Sequence, residues 1–447
     1  MTTAMTNPSA RGAAPDGLPR LLAGWRAGPP VGLDEHAARF GPPPWAPRRR
    51  KGTPELIQAL EQSGLRGRGG AGFPTARKLL TVANARGGRP IVLVNGSEGE
   101  PASRKDKLLL ASTPHLVLDG AALAAEAIGA EEVVIAVDRW AREAIAGVTY
   151  AIEERAARRV DPVAFRLAYL PGRFVAGEET AVVNFVNGGP AKPMFVPPRP
   201  FEKGVNGRPT LVQNVETLAH IALIARFGAD WFRSVGSPEE PGTTLITVSG
   251  AVARPCVVEI AIGTPIRDVI VAAGGVTETL GAILVGGYFG RWVDALDAWD
   301  APASRAGLGA LGASLGCGVI HAFPASACGV TASARITRYL AEETAGQCGP
   351  CVNGLHAIAS ALEEVARGTH GRDTLARLDR WCAQVDGRGA CRYPDGAVRF
   401  VRSALEVFGD EIGEHTRNAA SGRRVCRSAA PPALPMPDMR TRDWEWR

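Results

Sequence analysis

No stretch of the 447-residue chain approaches the roughly 18 unbroken apolar residues of a membrane helix, so direct membrane insertion is not expected. No apolar run follows Arg11, the first arginine, and Pro and Gly interrupt the N-terminal region throughout. A secretory signal is therefore not expected, and a cytoplasmic location is. Aromatics are sparse, at 6%, and do not alternate with basic residues. The net charge of +6 and the pI near 9.0 thus give little support to nucleic-acid binding. Basic residues cluster only at Arg48, Arg49, Arg50 and Lys51, beside a Pro-rich tail. No Ser/His/Asp or Cys/His set stands at a persuasive spacing, and no internal repeat is visible. In a reducing compartment the eight cysteines are expected to be free, metal-bound or redox-active, not disulfide-bonded.

What is abundant is glycine: Gly64, Gly67, Gly69, Gly70 and Gly72 crowd into nine residues. Such a run is neither helix nor strand, because each glycine loses the most backbone entropy on ordering. It lets main-chain N–H groups approach a ligand, and Arg66, Arg68 and Lys78 add positive charge, the makings of an anion site. Taken by itself, the run is better explained as a flexible surface loop with solvated charges. It lacks the Gly-Lys-Ser/Thr ending of a nucleotide-triphosphate loop, and no strong strand precedes it.

Length predicts about three domains, and the 45% apolar content can fill their cores. Residues 1–48 read as a disordered Pro/Ala/Arg-rich tail with a short helix near Leu18 to Ala27. A helix is predicted over Pro54 to Ser63. Strands at Ile91 to Asn95, Glu132 to Asp138 and Val163 to Leu170 alternate with helices at Pro114 to Ile128 and Arg139 to Arg159. That order predicts an α/β, Rossmann-like parallel sheet over 49–242, with ligands beyond the carboxyl ends of its strands, where Asn95 and Gly172 lie. A β-grasp-like module follows over 243–325, with Thr264-Pro265 capping a helix to Ala273. Residues 326–418 read as an α-helical bundle, and 419–447 as a loose tail.

Two further motifs raise the functional reading of the glycine run. The motif from Asn95 to Lys107, opening Asn95-Gly96-Ser97-Glu98-Gly99-Glu100-Pro101, puts the carboxylates of Glu98 and Glu100 on a tight turn; a solvated acidic turn is the plainer alternative for these two. Gly177-Glu178-Glu179-Thr180-Ala181 opens a helix where the dipole favours carboxylates, so capping alone could account for both glutamates. A carboxylate beside a nucleotide ribose would also disfavour the 2′-phosphate of NADPH.

Taken in order with Lys192-Pro193, Gly207-Arg208-Pro209-Thr210 and Asn214-Val215-Glu216-Thr217-Leu218, these motifs resemble the NADH-binding flavoprotein subunit of respiratory complex I. Its relatives in NAD-linked hydrogenases and formate dehydrogenases share the pattern, which here runs from about Gly64 to Glu414. The resemblance implies FMN held by Gly67, Gly69, Gly70, Lys78, Asn95 and Asn214, with NADH stacked over it. Arg68, Glu98, Gly177, Glu178 and Lys192 fall in the same cofactor-binding motifs. Phe73 and Phe195 match aromatics that sandwich the NADH bases, with core packing the alternative for each. Glu100 and Glu179 match acidic residues near the dinucleotide. Hydride transfer would need only the alignment of two flat rings, so no catalytic side chain is expected. The implied function is NADH oxidation, with electrons passing through FMN to an iron–sulfur cluster and on to a partner protein or quinone-reducing complex. The partner would be a thioredoxin-like iron–sulfur subunit or a ferredoxin, and the chain would be cytoplasmic or peripheral to a membrane complex. Departures from the family pattern include Ser97 in place of an acidic residue, Leu79 in place of an aromatic, Phe174 in place of Tyr and Gln213 in place of Asn. They leave a redox-impaired nucleotide-binding scaffold as the alternative.

The family carries Cys-x-x-Cys-x-x-Cys and a distant fourth cysteine as ligands of a [4Fe-4S] cluster. This chain has Cys348, Cys351 and Cys391, but Ala345 occupies the first position. Three readings stay open: a three-thiolate cluster of [4Fe-4S] or [3Fe-4S] form, an empty site, or zinc held with the help of Cys382. Cys256, Cys317, Cys328 and Cys426 show no ligand spacing and read as idle thiols, with Cys328 the candidate substitute ligand.

Overall fold

A computed structural model describes residues 17–25, 28–42, 54–369, 371, 373–422, 425–426, 434–437 and 445–447. The basic run at 48–51 lies outside the described residues.

The first part of the chain contains α1 (Leu33–Phe40), α2 (Pro54–Ser63), α3 (Thr75–Ala83), β1 (Ile91–Gly96), α4 (Lys105–Ser112), α5 (Pro114–Ile128), β2 (Glu132–Asp138) and α6 (Arg142–Arg158). It continues with β3 (Ala164–Leu170), α7 (Glu179–Val186), β4 (Thr210–Asn214), α8 (Val215–Phe227) and α9 (Ala229–Arg233). The four strands are parallel in the order β3-β2-β1-β4. Apolar residues alternate between two covered faces, as both faces of a parallel sheet require. Val92, Val94, Val133 and Ile135 pack with α5 and α8, while Leu93, Val134 and Val212 pack with Val182 and Val183 of α7. The chain leaves β1 for β2 on one side and returns to β4 on the other. A crevice therefore opens at the carboxyl ends of β1 and β4, the usual ligand position in such sheets.

The second part is a mixed sheet of order β6-β5-β9-β7-β8. It comprises β5 (Thr243–Gly250), β6 (Cys256–Ala261), α10 (Ile266–Ala272), β7 (Leu280–Val285), β8 (Arg291–Asp294), α11 (Ala295–Trp299), α12 (Arg305–Gly309) and β9 (Val319–Pro324). β5 and β6 are antiparallel, and β5 and β9 parallel, as a β-grasp arrangement needs. The Thr264 hydroxyl donates to Ala261 O at 2.8 Å and does not cap α10, whose N-cap is Pro265.

The third part is helical: α13 (Gly329–Glu342), α14 (His356–Arg367), α15 (Thr374–Val385), α16 (Tyr393–Val407) and α17 (Gly409–Ala420), with a π-helical turn at Pro350–Leu355. Among the described residues no single helix is long and apolar enough to cross a membrane.

Both ends depart from the sequence expectation. Residues 18–25 form turns and not a helix, and α1 lies inside the segment expected to be disordered. Leu21, Leu22 and Phe40 are buried, and His36 of α1 meets buried Asp119 of α5 at 2.7 Å. At the other end the Trp446 carbonyl accepts the Ala191 N–H at 2.8 Å, and its ring lies 4.2 Å from the Arg173 guanidinium carbon. Neither tail is loose where it is described, because each finds a partner far away in sequence.

Candidate functional site

Asn95 and Asn214 are register partners at the carboxyl ends of β1 and β4. The Asn95 amide donates to Gly177 O at 2.8 Å, and the Asn214 amide donates to Asp106 Oδ2 at 2.7 Å. Asn214 also caps α8, accepting the Thr217 N–H at 3.3 Å. The glycine loop leaves α2 as a narrow hairpin closed by Gly67 N–H to Phe73 O at 2.9 Å. Arg68 N–H donates to Thr217 Oγ1 at 2.9 Å, tying the loop to the first turn of α8. A Cβ on Gly69 would sit 3.3 Å from Asn214 Cβ, and Gly70 has φ +107°. Here the loop needs glycine to lay its backbone over the strand ends.

Beside the loop lies a buried cluster of charge. Glu98 (φ +31°) accepts N–H groups of Asp106 at 3.1 Å and Lys107 at 2.9 Å, so it caps α4 and is not a solvated turn. The Lys105 ammonium lies 2.9 Å from both Asp106 Oδ1 and Glu216 Oε2. Burial works against that ammonium, but Asp106, Glu216 and Glu98 outweigh it and raise its pKa. Burial pushes Asp106 up to about 6, against the pull of Lys105. Glu216 is held low despite burial, chiefly by Lys105. Glu100 accepts N–H groups of Tyr288 at 2.8 Å and Ala102 at 3.0 Å, yet burial lifts it to about 7. Glu178 caps α7, accepting Thr180 and Ala181 N–H groups at 2.9 and 3.0 Å, and burial raises its pKa.

Except for Glu216, which stays behind Lys105, these charged groups share the wall of one cavity of about 1040 Å³. Of the residues singled out in the sequence, Arg68, Gly69, Gly70, Asn95, Glu98, Glu100, Gly177, Glu178 and Asn214 line it, and so does Cys391. Gly67, Phe73, Lys78, Glu179, Lys192 and Phe195 do not. Phe73 and Phe195 are 46% and 86% exposed, so neither packs in a core. Lys78 pairs with Glu179 at 3.0 Å, and Lys192 lies 4.8 Å from the Trp446 ring centre. Lys105, Asp106 and Arg199 also line the cavity, and their sequence positions alone give them no role there. Lys105 and Asp106 close the Asn95-to-Lys107 motif, but nothing local shows that they are buried beside its carboxylates.

Cys391 lines the cavity, and the Cys348 and Cys351 thiols lie near it. Burial, then the neighbouring Cys348 and Cys391, push the Cys351 thiol up. Burial also raises Cys391, with Glu178, Cys348 and Asp395 adding to it. Three thiols thus share one neighbourhood, and buried Ala345, a methyl that cannot ligate, packs in the same apolar cluster. Cys382 is raised to about 12 by burial, and its charged neighbours are Arg402, Asp379 and Asp386, not these thiols. Zinc shared by Cys382 and the three thiols has no support. Cys328 is likewise engaged elsewhere, with His415 at 3.5 Å, and so is not placed as the missing ligand.

Three family profiles match the chain: the Nuo51 FMN-binding domain over residues 60–223, the SLBB domain over 245–286, and the NADH-ubiquinone oxidoreductase-F iron-sulfur binding region over 331–415. The NADH-quinone oxidoreductase F subunit of Streptomyces coelicolor is 32% identical over 373 residues, 81% of this chain and 83% of that protein. The corresponding F 1 subunit of Rhizobium meliloti is 32% identical over 396 residues, covering 85% and 91%. The crystal structure of NAD+-reducing [NiFe]-hydrogenase in the air-oxidized state superposes with TM-score 0.73 at 32% identity. That match covers 80% of this chain but only 62% of the hydrogenase chain.

Proposed function

The chain belongs to the family of NADH-quinone oxidoreductase F subunits, and from that premise we propose how its own residues carry electrons from NADH through FMN toward an iron–sulfur centre. The observation that carries this reading is the single cavity joining the strand-end asparagines and the glycine loop to Cys391. Its volume, about 1040 Å³, exceeds that of most single-ligand pockets and suits two stacked ring systems.

The donor set fits a flavin mononucleotide. Gly69 and Gly70 offer close backbone approach, Arg68 and Lys105 offer positive charge, and Asn95 and Asn214 offer fixed polar groups at the strand ends. The chemistry the flavin supplies when bound is acceptance of a hydride and return of electrons singly. This chain's residues supply position. The asparagines are locked by Gly177 O and Asp106, and the charges that lock them are themselves paired, so little reorganisation is needed on binding. Glu178, on the cavity wall, and Glu179, the next residue along the chain, would repel the 2′-phosphate of NADPH.

The fit to a cluster is three-quarters complete: Cys348, Cys351 and Cys391 would hold it, and Ala345 leaves one position open. We assign the flavin and nicotinamide work to residues 49–242, extended by 17–25 and 28–42. The β-grasp module would be 243–325, the cluster region 326–418, and the closing segment 419–447. The electron acceptor would be another subunit, of thioredoxin-like iron–sulfur or ferredoxin type. The location would be cytoplasmic or peripheral to a membrane complex.

The test is an absorbance spectrum of anaerobically purified chain before and after NADH. The expected result is a flavin spectrum that bleaches with NADH, and its loss in Gly69→Val and Asn214→Ala. A chain that binds no FMN on reconstitution, or whose flavin ignores NADH, would sink the reading in favour of a scaffold.

A further inference from the structure

One cluster of metal-ligating side chains lies outside the cavity and has no part in the proposed electron path. Cys328 is the N-cap of α13, Glu411 and His415 project from α17, and Cys426 follows α17. One ligand atom from each lies within 4.8 Å of the other three. The separation of Cys328 and Cys426 by 98 positions hides this in the sequence. Only the four-residue step from Glu411 to His415, one helical turn, hints at a shared face.

The geometry points to a structural zinc site formed by Cys328, Glu411, His415 and Cys426. Two sulfurs, an imidazole and a carboxylate are the donor types that zinc takes in tetrahedral sites. Bonds of about 2.0–2.3 Å place tetrahedral ligands roughly 3.3–3.8 Å apart. Cys328 Sγ and His415 Nε2 already stand at 3.5 Å. The other ring nitrogen, Nδ1, is 3.3 Å from Val365 O on α14. Donation of its N–H to that carbonyl fixes the tautomer that presents a lone pair at Nε2, the outer support metal-binding histidines use. Glu411 is steadied by the Gly329 N–H at 3.0 Å, and Cys328 Sγ by the Thr331 N–H at 3.2 Å. Cys328 and His415 are 2% and 1% exposed, so water would compete weakly for the ion.

The site would pin the C-terminal segment to the helical bundle. Val425 O accepts the Asn418 amide at 3.2 Å just before Cys426. Farther along, Tyr288 donates to Pro435 O at 2.7 Å, and Trp446 reaches Arg173. Zinc would displace the two thiol protons as it binds, so its affinity would rise with pH.

The test uses the full chain, purified anaerobically, with zinc measured by elemental mass spectrometry and Co2+ as a spectroscopic probe after chelation. The expected result is about one zinc per chain and a cobalt–thiolate charge-transfer band. Cys426→Ser lies beyond the last helix and should fold, yet bind Co2+ at least ~10-fold more weakly, as should His415→Gln. Cys348→Ser should lose iron and keep zinc. The site is refuted if wild type takes up neither Zn2+ nor Co2+, or if Cys426→Ser and His415→Gln bind Co2+ as wild type does. A Cys328–Cys426 disulfide in freshly purified, metal-free protein would equally overturn it.

Discussion

Glu100 Oε2 accepts the Tyr288 amide at 2.8 Å, joining the carboxyl-end loop of the parallel sheet to the turn after β7 in the second sheet. Burial outweighs this bond and the one from Ala102, and the carboxyl is pushed up to about 7. An unfolded glutamate titrates near ~4.3, so the folded state binds this proton more tightly. The stabilising contribution is therefore full below about pH 4.3 and is lost as pH rises through about 7. Glu100→Gln stays neutral throughout. Urea unfolding of the two proteins from pH 5 to pH 8 should show wild type losing stability relative to the variant, on the order of 2–3 kcal/mol. Parallel pH profiles would show that Glu100 is already ionised at pH 5.

Lys105 is the cation between two buried carboxylates, 2.9 Å from each. Lys105→Met leaves Asp106 and Glu216 buried without it, which should cost about 3–5 kcal/mol. Adding Glu216→Gln removes one stranded charge and should restore part of that loss, so the two changes should be strongly non-additive in denaturant melts. Simple additivity would mean that the ammonium and Glu216 do not interact.

Long apolar strands and the α5 helix were legible because Ile91–Gly96, Glu132–Asp138 and Pro114–Ile128 carry their periodicity locally. α4 was not. Its opening residues, Lys105, Asp106 and Lys107, carry no local apolar period, and only Glu216, 111 residues downstream of Lys105, supplies the partner that lets the lysine be buried. α1 was hidden in the same way, since its His36 is explained only by Asp119 of α5. The meeting of Gly69 and Gly70 with Asn95 and Asn214 on one cavity wall was legible because the order of the motifs along a parallel sheet brings them to the same strand ends. The exposure of Phe73 and Phe195 was not legible, because neither residue carries a local sign of its surroundings.

Glu179 forms an ion pair with Lys78 at 3.0 Å while remaining 39% exposed on its side chain. Exposed pairs contribute ~1 kcal/mol or less, so Glu179→Gln should leave the melting temperature nearly unchanged. Removing its charge should relieve repulsion of the 2′-phosphate and free Lys78 to face it. The ratio of kcat/KM for NADH to that for NADPH should fall by roughly 10-fold, ~1.4 kcal/mol of discrimination. An unchanged ratio would place the ribose away from Glu179 and leave Glu178 as the selective carboxylate.

Ala345 is the residue on which the cluster question turns. It is buried in the same apolar cluster as Cys351, three residues before Cys348, at the position where the family places its first thiolate. Thiolates hold such clusters one iron apiece, so three donors leave one iron without a protein sulfur and open to loss on oxidation. Ala345→Cys adds that sulfur in place of a methyl hydrogen, an enlargement that a buried site absorbs for about 1–3 kcal/mol. Iron and acid-labile sulfide, measured after brief air exposure, should then rise from about three irons per cluster toward about four. The reconstituted variant should also resist oxidative bleaching longer than wild type. If wild type already holds a full complement of iron through air exposure, another side chain supplies the fourth ligand. Asp395 and Glu178, the carboxylates whose charge acts on Cys391, are then the groups to replace next.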